Sequence, residues 1–277
     1  MKILIVGCGV MGSWFADFFA RNGHKLYLYD VNKNSALRLS RKKYGVALSS
    51  LSKLPEIDGV LVSTPIREAG KVISNISRSL KVGKFIIEIS SFKKPIWKEI
   101  EEARRRGIIC LSIHPLFGPG VRDLGGTSTV HVEPSEPVSE RRILRKLLRG
   151  TRLVRMSLDE HDYAMGIAIS LTHLVGLAFG STLVKLGYNA PLTKSLSAAL
   201  SLVAISYSEP ASFYSEEVMY NEYSMLSYET FLREVRSFIE EHGSDKIIDR
   251  VMSVKEALGK RFKISKIYDE IYRQSIN

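Results

Sequence analysis

The chain reads as an α/β domain followed by an all-helical one, and three observations lead there. Short apolar runs alternate with helical stretches through about the first 156 residues, the pattern that builds a mostly parallel sheet covered on both faces. A glycine turn, GCGVMG at 7–12, lies between the first apolar run and the first helical period. From Ser157 onward the strand signal fades and long helical patterns follow.

Taken in order, residues 2–6 (KILIV) predict a strand and 13–22 a helix that stops at Gly23, a natural C-cap. Residues 25–29 (KLYLY) predict a second strand ending at Asp30, and a polar helix follows at 33–44. Further strands are expected at 59–63, 85–89, 108–113 and 128–132, with helices at 68–80 and 94–106. The alternating polar residues of 128–132 suggest an edge strand. Residues 133–139 (EPSEPVS) are the most linker-like segment, yet a helix at 140–149 and a strand at 152–156 still fit the first domain. The expected domains are therefore 1–156 and 157–277, with the boundary open between 133 and 157. "SLDE" places Ser157 at a helix N-cap and Glu160 at its third position, a capping box. The later helices are broken near Gly187–Pro191, Pro210 and Gly243.

Composition narrows the function classes. With 277 residues, 45% hydrophobic and 25% charged, the chain is an ordinary soluble globular one. Its formal charge of +11 attracts anions of any kind. The positive residues look scattered, and Arg104, Arg105 and Arg106, next to Glu99, Glu101 and Glu102, read as a solvated helix face. Basic residues interleaved with aromatics are absent, so nucleic-acid binding rests on net charge alone and is not expected. Cys8 and Cys110 lack redox or zinc spacing, which points to a reduced, cytoplasmic protein, and no signal-peptide pattern opens the chain. No histidine spacing supports a metal. Residues 163–184 carry no formal charge and are long enough to span a bilayer. That run is alone, however, and contains Tyr163, Ser170, Thr172, His173, Ser181 and Thr182. A central helix buried by a partner subunit has the same pattern, and no membrane association is expected.

The glycine turn carries the first chemistry. Gly7 allows the tight turn, Gly9 lets the backbone approach a pyrophosphate, and Gly12 lets the helix pack closely on the sheet. The helix start at Val10 and Met11 offers free N–H groups and a favourable dipole to phosphates. With Asp30 ending the next strand about 20 residues on, this is the context of a Rossmann-type dinucleotide-binding domain. The Asp30 carboxylate accepts from a free ribose 2′-OH and repels a 2′-phosphate, which favours NAD over NADP. Lys33, Arg38 and Arg41 lie close enough to soften that preference.

In an open sheet, chemistry sits beyond the C-terminal strand ends. Thr64–Pro65, Ser90–Ser91 and His114–Pro115 all fall there. His114, followed by Pro115, Gly118, Pro119 and Gly120, suits a general base as well as it suits a satisfied strand-end histidine. Ser91 and Lys93 read either as site residues or as a helix cap and a surface lysine. His173 interrupts the uncharged helix, as a core histidine or as a polar anchor in a substrate pocket. His24, His131, His161 and His242 have no comparable setting, and His161 is expected to face solvent or a cap.

GCGVMG at 7–12, SSFK at 90–93, HPLFGPG at 114–120 and LDEHDYAMGIAISLTH at 158–173 together resemble the prephenate and arogenate dehydrogenases of tyrosine biosynthesis, over essentially the full chain. The resemblance implies a nucleotide-binding domain followed by a helical domain that intertwines two subunits in a homodimer. It implies that His114 takes the proton of the substrate's ring hydroxyl while hydride leaves the same carbon for NAD, and that loss of CO2 yields 4-hydroxyphenylpyruvate. Ser91 matches the serine near that histidine, Lys93 the lysine of the same motif, and His173 the histidine lining the pocket for a small dicarboxylate. Thr64 and Pro65 fall beside the cofactor.

One departure stands out. Where many members hold the side-chain carboxylate with an arginine about six residues before a Ser/Gln-Asp-Pro segment, this chain has Ala204 ahead of Ser208-Glu209-Pro210. A guanidinium fork pairs with a planar carboxylate; Arg122, Lys185 or Lys194, or the neutral donors Ser206, Tyr207 and Ser208, are candidates to replace it. No fused chorismate mutase or appended regulatory domain is expected. The rivals are arogenate as substrate, a β-hydroxyacid dehydrogenase in which His114 is dispensable, and a non-enzymatic NAD-binding regulator.

Overall fold

The computed structural model describes residues 1–209 and 211–273; Pro210, expected to break a helix, and residues 274–277 lie outside them. Two compact units divide the chain, Met1–Tyr163 and Ala164–Asn277.

The first unit is built on one eight-stranded sheet in the order β3-β2-β1-β4-β5-β6-β7-β8. In chain order the strands are β1 (Lys2–Val6), β2 (Lys25–Tyr29), β3 (Val46–Ala47), β4 (Gly59–Val62), β5 (Phe85–Glu88), β6 (Ile109–Pro115), β7 (Ser128–Val132) and β8 (Arg152–Met156). All neighbours are parallel except β6 and β7. β1 lies between β2 and β4, so the winding reverses there and a crevice opens beyond the strand ends. The central strands are apolar runs because both of their faces are covered; every residue of β4 and β5 is buried.

Two apolar layers flank the sheet. On one face α1 (Val10–Arg21) and α5 (Pro137–Leu147) bring Phe15, Phe19 and Leu144 against Leu28, Leu61 and Ile113. On the other, α3 (Ile66–Ser79) and α4 (Trp97–Arg105) bring Ile73 and Ile100 against Leu4, Val60 and Cys110. The short α2 (Lys33–Arg41) follows β2 and is capped by the Asn32 side chain.

Three expectations change. β7 is an interior strand and β8 is the edge. Residues 133–139 are no linker: they turn from β7 into α5 within the first unit, held by Glu140, whose carboxylate accepts from the Ser135 N–H and hydroxyl and the Glu136 N–H. Arg104 is not solvated; its guanidinium lies 5.1 Å from the Trp97 ring and donates to the carbonyls of Cys110 and Glu133. The charge concentration lies elsewhere, in the seven cations of 141–155.

The Ser157 capping box forms as expected. Ser157 N–H and Oγ donate to Glu160, and Glu160 N–H donates back to Ser157 Oγ. It opens α6 (Leu158–Met165), which continues through a π-helical turn, Gly166–Leu171, into α7 (Thr172–Lys185). Among the described residues, Leu158–Lys185 is the one helical stretch long and apolar enough to cross a membrane by length and composition, a test that core helices also pass.

In the second unit, α7 lies directly on α8 (Lys194–Ser208) because two glycines face it. A Cβ on Gly176 would meet Ser206 Oγ at 2.1 Å, and one on Gly180 would meet Tyr207 at 2.8 Å. The π-helical turn is pinned by α10 (Tyr223–Glu240): Ser170 and Ser224 share a buried hydroxyl pair at 2.7 Å, and Ser227 donates to the Gly166 carbonyl. Between them runs α9 (Ala211–Tyr220), and α11 (Asp245–Arg261) and α12 (Ile264–Arg273) complete the unit.

Candidate active site

The C-terminal strand ends of the first unit gather the site. At the end of β1, Gly7 has φ +96°, and a Cβ there would meet the Ser63 carbonyl at 2.5 Å. A Cβ on Gly12 would fall 1.9 Å from the Gly7 carbonyl, so α1 sits on the turn only because that position is glycine. Around a Cβ on Gly9 there is nothing within 4 Å, which leaves the backbone open to a ligand from that side. Val10 starts α1 and is exposed, while Met11 is half-buried against the core.

Asp30, at the end of β2, accepts from the Cys8 N–H at 2.6 Å and the Asn32 N–H at 2.8 Å. Its carboxylate thereby ties the glycine turn to the β2 loop. Burial, reinforced by Asp30, pushes the Cys8 thiol up to about 12, so it stays protonated and unreactive. At the end of β4, Ser63 Oγ donates to the Gly7 carbonyl, and the buried Thr64 hydroxyl has no partner among the described residues. Pro65 then caps α3. A turn without Cβ obstruction at Gly9, a carboxylate at the β2 end and an unsatisfied hydroxyl at the β4 end fit a dinucleotide lying across the crevice.

His114 ends β6 with 8% of its surface exposed. Its Nδ1 lies 3.1 Å from His161 Nε2, and His161 Nδ1 lies 2.7 Å from Asp162 Oδ1. A carboxylate only accepts, so the chain of donors has one sense. His161 donates from Nδ1 to Asp162 and accepts at Nε2 from His114 Nδ1–H, which leaves His114 Nε2 as the bare acceptor. Asp162 is itself anchored by the backbone N–H groups of Lys93 and Lys94. Burial, then the Lys93 ammonium and His161, hold His114 well below the ordinary imidazole range. Burial also lowers His161, against the opposing pull of Asp162.

His161 was expected at solvent or a cap; it is fully buried. The reason is that the first turn of α6 lies over the β5–α4 loop, where Asp162 caps the 3-10 turn Lys94–Ile96. Sequence reasoning missed this pair, and its only signal was the acidic partner directly after the histidine. Lys93 is equally unlike a surface lysine. It is fully buried, its ammonium 2.6 Å from Glu88 and 2.6 Å from the Ile113 carbonyl, and Glu88 also accepts from Ser112. Its ammonium is committed to this network. Burial pulls its pKa down and Glu88 opposes that. Ser91 is half-buried in the same loop and makes no hydrogen bond to His114 among the described residues; His161 makes that bond. His131, set aside in the sequence, forms a buried pair with Glu140 at 2.8 Å on the opposite face of the sheet.

In the second unit, His173 is buried on α7, edge-on to Phe213 and Tyr214 with ring centroids 5.3 and 6.1 Å away. Ser208 is exposed and its hydroxyl donates back to the Ala204 carbonyl. Ser206 is buried and bonded to the Leu202 carbonyl, and Tyr207 donates to the Leu177 carbonyl. Arg122, in the first unit, and Lys185 are exposed; Lys194 is half-buried. No group of three or more potential metal ligands occurs among the described residues.

The family model for the prephenate dehydrogenase nucleotide-binding domain matches residues 15–128. A Methanocaldococcus jannaschii protein named "Probable arogenate/prephenate dehydrogenase" is 24% identical over 251 residues, covering 86% of this chain and 55% of that protein. The T-protein of Enterobacter agglomerans is 24% identical, covering 79% of this chain and 56% of its own length. The chain thus spans about half the length of these curated relatives. Among solved structures, the fold is shared with Aquifex aeolicus prephenate dehydrogenase in complex with hydroxyphenyl propionate and NAD+, at TM-score 0.76 and 21% identity over 95% of this chain and 98% of that one. Synechocystis arogenate dehydrogenase matches at TM-score 0.70 and 18% identity, over 95% and 100% of the two chains. The family model over residues 15–128 and the curated relatives at 24% identity make the chain similar to the prephenate and arogenate dehydrogenases.

Proposed function

We propose that the protein catalyses the NAD-dependent oxidative decarboxylation of prephenate, with His114 as the base. The observation that carries this reading is the buried Asp162–His161–His114 chain at the end of β6, which leaves one imidazole nitrogen as a bare acceptor. NAD, when bound, supplies the hydride acceptor. Gly7, Gly9, Gly12 and the start of α1 would hold its pyrophosphate, Asp30 its ribose, and Thr64 and Pro65 its flank.

In the reaction the ring hydroxyl proton passes to His114 Nε2 as the carbinol carbon gives up its hydride. The ring carboxylate then leaves as CO2, its bonding pair aromatises the ring, and 4-hydroxyphenylpyruvate results. His161 shares the positive charge arriving at His114, with Asp162 fixing its tautomer, as a carboxylate does for an imidazole base. Lys93 acts at one remove: its ammonium and Glu88 brace the strand carrying His114. Ser91 and His173 are the groups we assign to the substrate, and two copies are proposed to pair through the helical unit.

Arogenate is the second reading, because curated relatives carry both substrates in their names. The test follows NADH absorbance with prephenate or arogenate and either NAD or NADP. Turnover with prephenate and NAD is expected, and His114→Asn should abolish it while leaving cofactor binding intact. His161→Asn should lower kcat roughly ten- to a hundredfold with little change in KM. Full activity in His114→Asn would remove the base from the scheme and favour a β-hydroxyacid mechanism. Turnover of arogenate alone would keep the mechanism and change the substrate.

A further inference from the structure

The basic stretch at 141–155 is not used by the chemistry above. It holds Arg141, Arg142, Arg145, Lys146, Arg149, Arg152 and Arg155 with no acidic residue among them. Four of these guanidiniums, Arg141, Arg142, Arg145 and Arg155, line one cavity of about 560 Å³ between α5 and the edge strand β8. Its apolar wall includes Val138 and Leu153. That volume lies within the range of small-molecule pockets, about 300–1,000 Å³.

Strand register separates this cavity from the candidate active site. Ile113, His131 and Arg155 align across β6, β7 and β8 and share the face covered by α5. His114, the next residue on β6, lies on the other face.

The four guanidiniums have no carboxylate partner among the described residues. Glu140, next to Arg141 on α5, is spent: it accepts from His131, Ser135 and the Glu136 N–H, and these bonds hold it below the usual carboxylate range against the upward push of burial. Glu136 accepts from Ser139. The helix dipole explains Arg145 and Lys146 in the last turn of α5. It does not explain Arg141 and Arg142, and the spacings Arg141–Arg145 and Arg142–Lys146 set like charges one turn apart, which destabilises a helix. An anion shared among them reverses that repulsion.

We propose that this cavity binds a small polyanion, a molecule with two or more closely spaced phosphate or carboxylate groups, at a site separate from the dinucleotide crevice. A guanidinium takes either group through paired N–H donors. The concave shape favours a compact ligand over the extended track of a nucleic acid.

The experiment is calorimetric titration of the full chain, saturated with NAD to occupy the glycine turn, using inorganic tripolyphosphate and citrate as separate probes. One equivalent of at least one probe should bind, and R141A/R142A/R145A should weaken that binding at least tenfold. R105A/R106A, which removes two exposed cations elsewhere, should bind like the unaltered protein. Should the triple variant fold poorly, R142E alone and hydrogen exchange across α5 and β8 give the same reading, with protection expected there on adding the probe. Equal weakening in both arginine variants, or no saturable binding, would overturn the proposal in favour of diffuse charge. Tighter binding of a single-stranded oligonucleotide through the same arginines, without competition by tripolyphosphate, would overturn the small-ligand reading. None of these outcomes depends on the dehydrogenase assignment.

Discussion

A histidine at a strand end is a base only if it stays neutral and keeps one nitrogen free, and both conditions here come from neighbours. Burial is the main cause of the depressed His114 pKa, and Lys93 and His161 add to it, while Asp162 and Glu88 face those two groups and limit the effect. The consequence for stability has a definite sign. An unfolded imidazole titrates near about 6.5, so below that pH the unfolded chain takes up a proton that folded His114 refuses. Stability carried by His114 is complete above about pH 6.5 and is lost as pH falls toward the lower folded pKa; buried His161 works in the same direction. Denaturant unfolding between pH 7.5 and 5.5 should therefore show stability falling with pH, at up to about 1.4 kcal/mol per pH unit for each such proton. The fall should shrink in His114→Asn. A pH-independent midpoint would mean that the His114–His161 pair takes up its proton in the folded protein.

At the scale of elements, the glycine turn separates fold from ligand. Gly12 has no room for a methyl because the Gly7 carbonyl would be 1.9 Å away, whereas Gly9 has open space on that side. Gly12→Ala should therefore unfold the protein at lower temperature and weaken NAD together with it. Gly9→Ala should cost at most about 1 kcal/mol through the helix cap yet reduce NAD affinity at least tenfold, read by fluorescence titration beside a thermal melt. Equal effects of the two substitutions would mean that both glycines serve only packing. This contrast also shows what was legible in the sequence. The glycines, Asp30 and the apolar strands announce themselves because local spacing dictates them. His161 does not, since a histidine in the polar first turn of a capped helix is buried only by the Lys93 loop, 68 residues earlier in the chain. The burial of Lys93 has no local sign for the same reason: only folding brings Glu88 and the Ile113 carbonyl to its ammonium. The π-helical turn gave no local signal, because its support comes from Ser224 and Ser227 on another helix.

At the scale of the molecule, the helical unit has more apolar surface than it covers. α11 and α12 bury no residue, and they expose Ile248, Val251, Met252, Ile267 and Tyr268, with the exposed Phe262 between them. Exposed apolar surface of this kind marks an interface when it is rimmed by charge, and α11 carries eight charged side chains along the same length. Two partners satisfy it differently. A second copy buries it in water, and a bilayer buries it with the apolar stretch Leu158–Lys185. Sedimentation of the detergent-free protein at micromolar concentration distinguishes them. The expected result is a single species of twice the chain mass, about 62 kDa from the 31.1 kDa of one chain. Ile248→Lys together with Met252→Lys should shift it toward the monomer, because two buried ammonium groups without partners cost several kcal/mol each. Aggregation without detergent and flotation with lipid vesicles would instead assign the apolar helices to a membrane, and the charged residues between them on α11 are the physical reason to expect the dimer.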